Sequence, residues 1–147
     1  MAWETSAPVV VPIDFSGMSV EAIQTARSMV ADDDQIHVVH VVPMLDQIIP
    51  GDHPWSLPTD EERRAAVRQH FSDFLASHGL NRVREIILDG RPGSEIADYA
   101  TSVKAELIVI PSHGYDGFKR LLLGSVAEQV VRHADCPVFV LRRKDAE

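Results

Sequence analysis

The residues most able to do chemistry lie in one stretch, VIPSHGYDGFKRLLLGS, from Val109 to Ser125. An apolar run ends at Pro111 and gives way to Ser112-His113-Gly114. A second turn follows around Gly117, then Lys119 and Arg120, and then Gly124-Ser125. Glycine lets backbone N–H groups approach an anion closely, and a helix that begins after it adds unpaired donors and a positive dipole end. The Ser125 hydroxyl can donate to a phosphate oxygen or join the coordination shell of a metal. The same residues also suit an ordinary strand-to-helix turn in which Ser125 is the N-cap. Spacing alone leaves both readings open. No GxxxxGK[ST] is present, and no GxGxxG follows the first apolar run.

The other reactive side chains form no obvious catalytic set. Asp14 follows the first apolar run and can serve as a hydrogen-bond acceptor or as a general base. Seven histidines invite a metal reading. His37 and His40 alternate poorly for one strand face, and His70 and His78 lie two helical turns apart without an adjacent third ligand. Cys136 is the only cysteine, so no internal disulfide or cysteine-based zinc cluster can form. Its expected role is packing against the last strand.

These groups need a scaffold, and the hydrophobic pattern supplies one. Val9–Ile13, Ile36–Val42, Val83–Leu88, Leu107–Pro111 and Pro137–Leu141 read as short buried strands. Helical periodicity runs between them. Ser16 caps a first helix, taken to run through Val30 and to end at Asp32-Asp33-Asp34. Asp60–His78 carries an apolar stripe of Ala65, Ala66, Val67, Phe71, Phe74 and Leu75, and Gly79 is placed to end it. Ile96 to Val103 makes a shorter helix, and Gly124–His133 the last. Strands alternating with helices argue for βαβ units and an open, mostly parallel α/β sheet with helices on both faces. Ligands in such sheets bind beyond the carboxyl ends of the strands, where the strand order reverses. Four prolines and a glycine make Pro43–Thr59 irregular. It is either a lid or a surface excursion with Ile48 and Trp55 pinned to the body.

At 147 residues the chain fits one domain. Its net charge of −8 repels a nucleic-acid backbone unless basic residues gather into a patch. Arg63, Arg64 and Arg68 sit among acids, and Arg142, Arg143 and Lys144 are followed at once by Asp145 and Glu147. No apolar run approaches the ~20 residues of a membrane span, and the N-terminus lacks a signal-peptide pattern. The expectation is a cytoplasmic protein without nucleic-acid or membrane partners.

In order and spacing, PIDFS, VVHVVP, GRPGSEI and CPVFVLR resemble the universal stress protein family over nearly the whole chain. Nucleotide-binding members carry Gly, two residues, Gly, nine residues, then Gly-Ser or Gly-Thr. Gly114 and Gly124-Ser125 match the second and third elements, whereas Pro111 stands at the first glycine and removes its N–H donor. The resemblance implies a Rossmann-like sheet of order 3-2-1-4-5, of the adenine-nucleotide α-hydrolase type, with the site between strands one and four. It implies that Asp14, with the backbone of Pro12 and Ile13, meets the adenine and ribose end, and that Val41 packs on the base. Ile110 and Pro111 would line the ribose, and Gly114, Gly124, Ser125 and the Val126 N–H would hold the phosphates. His113 would touch phosphate or stabilise the turn. Mg²⁺ or Mn²⁺ would ride on the phosphates of ATP, ADP or AMP. The function implied is a regulatory stress-response module with at most slow ATP hydrolysis, forming a homodimer through the C-terminal strand. The alternative is a dimeric interaction protein of the same fold that no longer binds nucleotide.

Overall fold

A computed structural model of the chain describes residues 5–49, 51, 57–113 and 123–142. Five parallel strands form the sheet: β1 (Val9–Pro12), β2 (Ile36–Val42), β3 (Arg84–Asp89), β4 (Leu107–Pro111) and β5 (Val138–Leu141). Their spatial order is β3-β2-β1-β4-β5, as the resemblance implied. Both central faces are apolar because β1 is fully buried along its whole length. Alternation then divides the core in two. Val9, Val11, Ile36, Val38, Leu107 and Val109 face α1 (Gly17–Arg27) and α3 (Asp60–Ser77). Val10, Val39, Val41, Ile108 and Ile110 face α4 (Pro92–Ser102) and α5 (Ser125–His133). Each valine or isoleucine buried this way contributes on the order of 1.5–3 kcal/mol.

Several boundaries differ from the sequence reading, each for a local reason. The first helix stops at Arg27, well before the acid run. Asp32 instead caps a separate 3-10 turn, Asp33–Gln35, with Gln35 completing a capping box. Helix α4 starts at Pro92, where proline's fixed φ suits the first helical position. A single helical turn, α2 (Leu45–Ile48), interrupts the segment expected to be irregular, and Ile48 is exposed. Trp55 lies outside the described residues. On α3 only Phe71 and Leu75 are buried, whereas Ala65 and Ala66 are exposed. Gly79 does end that helix: at φ +67°, its N–H reaches the Ala76 carbonyl while the Leu80 N–H reaches Leu75.

Candidate functional site

The sheet opens where β1 leaves β4. Pairing between them covers only Val9↔Leu107 and Val10↔Ile108, whereas β1 stays paired with β2 through Pro12↔Val39. The cleft therefore lies at the carboxyl ends of the two strands where the order reverses. It holds a pocket of about 150 Å³, the scale of one ring system.

One wall comes from β1 and the turn after it. Pro12, Ile13 and Asp14 line the pocket. Asp14 is fixed by α1: its Oδ1 accepts the Ser16 N–H and the Ser19 hydroxyl, both at 3.0 Å, and its N–H donates to Ser19 Oγ at 3.1 Å. Ser16 stands at the N-cap, but its side chain makes no capping bond. Phe15 adopts φ +68°, a left-handed conformation unusual for a bulky side chain. That turn sends the Phe15 ring back against Phe71, Phe74 and His70.

Val39, His40 and Val41 supply a second wall, with Pro92 and Ile96 of α4 beyond them. His40 Nδ1 lies 2.8 Å from the Ile13 carbonyl, which can only accept, so the imidazole carries its proton on Nδ1. Burial pushes its pKa below the ordinary imidazole value. The Ile13 bond and the Asp14 charge oppose that shift, while His70 adds to it. The imidazole is held neutral.

The far side is the chemistry-bearing stretch. Ile110, Pro111 and His113 line it from β4, and Val126 and Ala127 from the first turn of α5. Gly124, rather than Ser125, is the N-cap, so Ser125 is the first helical residue and its exposed hydroxyl has no capping duty. The first intrahelical bond runs from Glu128 to the Gly124 carbonyl, which leaves the amides of Ser125, Val126 and Ala127 without helical acceptors. The Gly124 N–H is already committed to the Ser112 carbonyl at 2.6 Å, so glycine here offers close approach, not a donor. His113 is 7% exposed; its Nδ1 is 3.1 Å from Ser112 Oγ, and its buried Nε2 has no partner among the described residues. With its proton on Nε2, the His113 imidazole could donate to an anion beside the open helix amides. Gly114, Lys119 and Arg120 lie outside the described residues.

The profile of the Universal stress protein family matches residues 6–142. The chain belongs to this family. Among universal stress proteins with curated descriptions, MJ0531 of Methanocaldococcus jannaschii is 34% identical over 146 residues, covering 95% of this chain and 84% of that protein. Among solved structures, MJ0577 superposes with a TM-score of 0.72 at 22% identity, covering 96% of this chain and 99% of the other. The universal stress protein from Archaeoglobus fulgidus, solved in complex with dAMP, superposes with a TM-score of 0.60 at 24% identity, covering 91% and 96%. At these identities the likeness to solved universal stress proteins establishes the fold.

Of the residues singled out from sequence, the pocket brings together Pro12, Ile13, Asp14, Val41, Ile110, Pro111, His113 and Val126. Val39, His40, Pro92, Ile96 and Ala127 were not anticipated. Val39 shares a strand face with Val41, so alternation was a usable signal for it. Two histidines away from the pocket make structural contacts. His37 Nδ1 is 2.7 Å from the Tyr99 hydroxyl, and His78 Nδ1 is 2.8 Å from the Phe74 carbonyl. Among the described residues no three His, Cys, Asp or Glu side chains converge as a metal site. Cys136 packs against the α4/α5 core, where burial and then Asp135 push its thiol pKa up. No helix among the described residues is long and apolar enough to cross a membrane.

Proposed function

We propose that this universal stress protein is an adenine-nucleotide-binding regulatory module with at most slow ATP hydrolysis. One observation carries the reading: His113 and the first turn of α5, whose amides have no helical acceptors, border the same apolar pocket as Asp14. A flat heterocycle suits the space between Val41 and Ile96. A ribose hydroxyl suits Asp14 as acceptor, and phosphates suit the α5 turn. Pro12, Ile13, Ile110 and Pro111 border the sugar. Gly114 and Gly124 give the phosphate chain close approach, and Ser125 and Val126 give it donors. Mg²⁺ or Mn²⁺ fits as a passenger on the phosphates, with the exposed Ser125 hydroxyl as its protein ligand. The bound dAMP of the Archaeoglobus fulgidus relative supports the nucleotide class. Mass spectrometry of small molecules released from the purified protein tests this, with an adenine nucleotide as the expected finding.

A second reading, a dimeric interaction protein without nucleotide, draws on two observations. Pro111 has no N–H to give, and the Gly124 N–H is spent on Ser112. Both readings share a homodimer in the cytoplasm. The edge strand β5 pairs only with β4 among the described residues, and Phe139 on it and Val131 on α5 are exposed.

A further inference from the structure

Two central strands both end on proline, β1 at Pro12 and β4 at Pro111. Proline is rare inside a sheet because it cannot donate to the ladder. The bonds around each one show which way its main chain faces. The Ile13 N–H goes to the Val39 carbonyl on β2 at 2.8 Å, so by alternation Pro12 turns its main chain towards β4. The Ile108 and Ser112 N–H groups go to the Pro137 and Leu141 carbonyls, at 3.0 and 2.8 Å. Those carbonyls lie on the β5 side, so Pro111 turns its main chain towards β1. Beyond the pair Val10↔Ile108, the next two rungs need an N–H at position 12 and another at position 111. Proline has neither. Pairing ends there, and both prolines line the pocket that opens.

The consequence is a division of polarity across the pocket. At the strand tips the Asp14 N–H is spent on Ser19 Oγ, and those of Ile13 and Ser112 on neighbouring strands. The main chain there offers acceptors, the Pro12 and Pro111 carbonyls, and Asp14 adds its carboxylate. Across the pocket the first-turn amides of α5 offer donors. We propose that the facing prolines make the cleft selective for a nucleotide whose ribose 2′- and 3′-hydroxyls are both free. A vicinal diol meets carbonyl and carboxylate oxygens as a donor. A phosphoryl group esterified at the 3′ position sets its oxygens against acceptors and its charge against Asp14, with no N–H to answer it. The cleft therefore takes linear 5′-nucleotides and discriminates against 3′,5′-cyclic and 3′-phosphorylated ones. Pro111 is the specificity-determining residue, because any other amino acid there restores a donor facing the gap.

The inference rests on the nucleotide reading above, and calorimetric titration of the nucleotide-stripped protein tells their failures apart. The probes are AMP, 3′,5′-cyclic AMP and adenosine 3′,5′-bisphosphate. Wild type should bind AMP at least about tenfold more tightly than either of the others. Pro111→Ala and Pro111→Val each return an N–H to position 111, the first with less bulk and the second with comparable bulk. Both should bring the ratio of affinities towards one, whereas a merely structural role for Pro111 would weaken all three ligands alike. A ratio that relaxes in Pro111→Ala but not in Pro111→Val would show exclusion by size and overturn the role of the missing donor. An unchanged ratio in the folded variants would overturn it too. Equal binding of the three probes by wild type would overturn the selectivity and leave the nucleotide reading standing, and this arm needs no variant to fold. Failure of wild type to bind either AMP or ATP would overturn both.

Discussion

The Ser112 carbonyl accepts the Gly124 N–H at 2.6 Å, tying the end of β4 to the first turn of α5. This single bond sets the α5 amides beside His113 and joins the two halves of the chemistry-bearing stretch across the residues between them.

Gly124→Asp separates the cradle from the fold. Gly124 has φ −72° and ψ 168°, an extended conformation open to any residue, and aspartate is a favoured N-cap. The N–H to Ser112 is kept. The new carboxylate faces the phosphates as a like charge, so affinity for ATP should fall at least about tenfold, or ~1.4 kcal/mol. Titration calorimetry reads the affinity, and a thermal melt within a few degrees of wild type shows that the fold persists. Unchanged affinity would place the site elsewhere.

Stability should decline in mild acid. Burial lowers the pKa of His40, and burial together with the Arg84 charge lowers that of His37. Unfolded imidazoles protonate near pH 6.5, so below that value the unfolded chain binds more protons than the folded one. The stabilisation is complete above about pH 6.5 and is lost as pH falls towards the folded values. Urea midpoints should fall between pH 7.5 and 5.5, and His40→Asn should flatten the slope. A constant midpoint would show that neither imidazole is held neutral.

Gly93→Ala probes the joint between α4 and α5. A Cβ there would lie 2.5 Å from Gln129 Cβ and 2.1 Å from its Oε1. The helices must separate, at a cost of about 1–3 kcal/mol in urea unfolding. Adding Gln129→Ala should recover part of the loss, a non-additive pair. Because Pro92 and Val126 line the pocket beside this joint, ligand affinity should weaken with stability.

Phe139→Asp tests the assembly. The side chain is 41% exposed on the edge strand, and a charge there discourages strand pairing between chains. Light scattering should report a dimer for wild type and a folded monomer for the variant. A wild-type monomer at micromolar concentration would contradict the homodimer.

Much of this architecture is legible in the residues themselves. Short runs rich in β-branched residues bounded β2 and β4 as the structure has them, as suits strands buried on both faces. Asp14 stands just beyond a strand end, where a switch-point site draws its residues, whereas the roles of His113 and Val126 came from the family resemblance. His40, Ile96 and Ala127 were hidden for the opposite reason: each sits inside an element and reaches the pocket only through tertiary packing. Pro92 and Gly93 lie ahead of the helix expected from Ile96, yet proline is favoured at a helix start and Gly93 is where α4 meets α5 closely. Lys104 at φ +55° closes α4 as Gly79 closes α3, and a lysine gives no sequence signal for that conformation.

The central claim is that the pocket between β1 and β4 holds an adenine nucleotide. Isothermal titration of the purified, nucleotide-stripped chain with ATP and Mg²⁺ tests it most directly. Saturable heat with one site per chain, abolished or strongly weakened by Gly124→Asp, is the predicted result. No heat at millimolar ATP would contradict it.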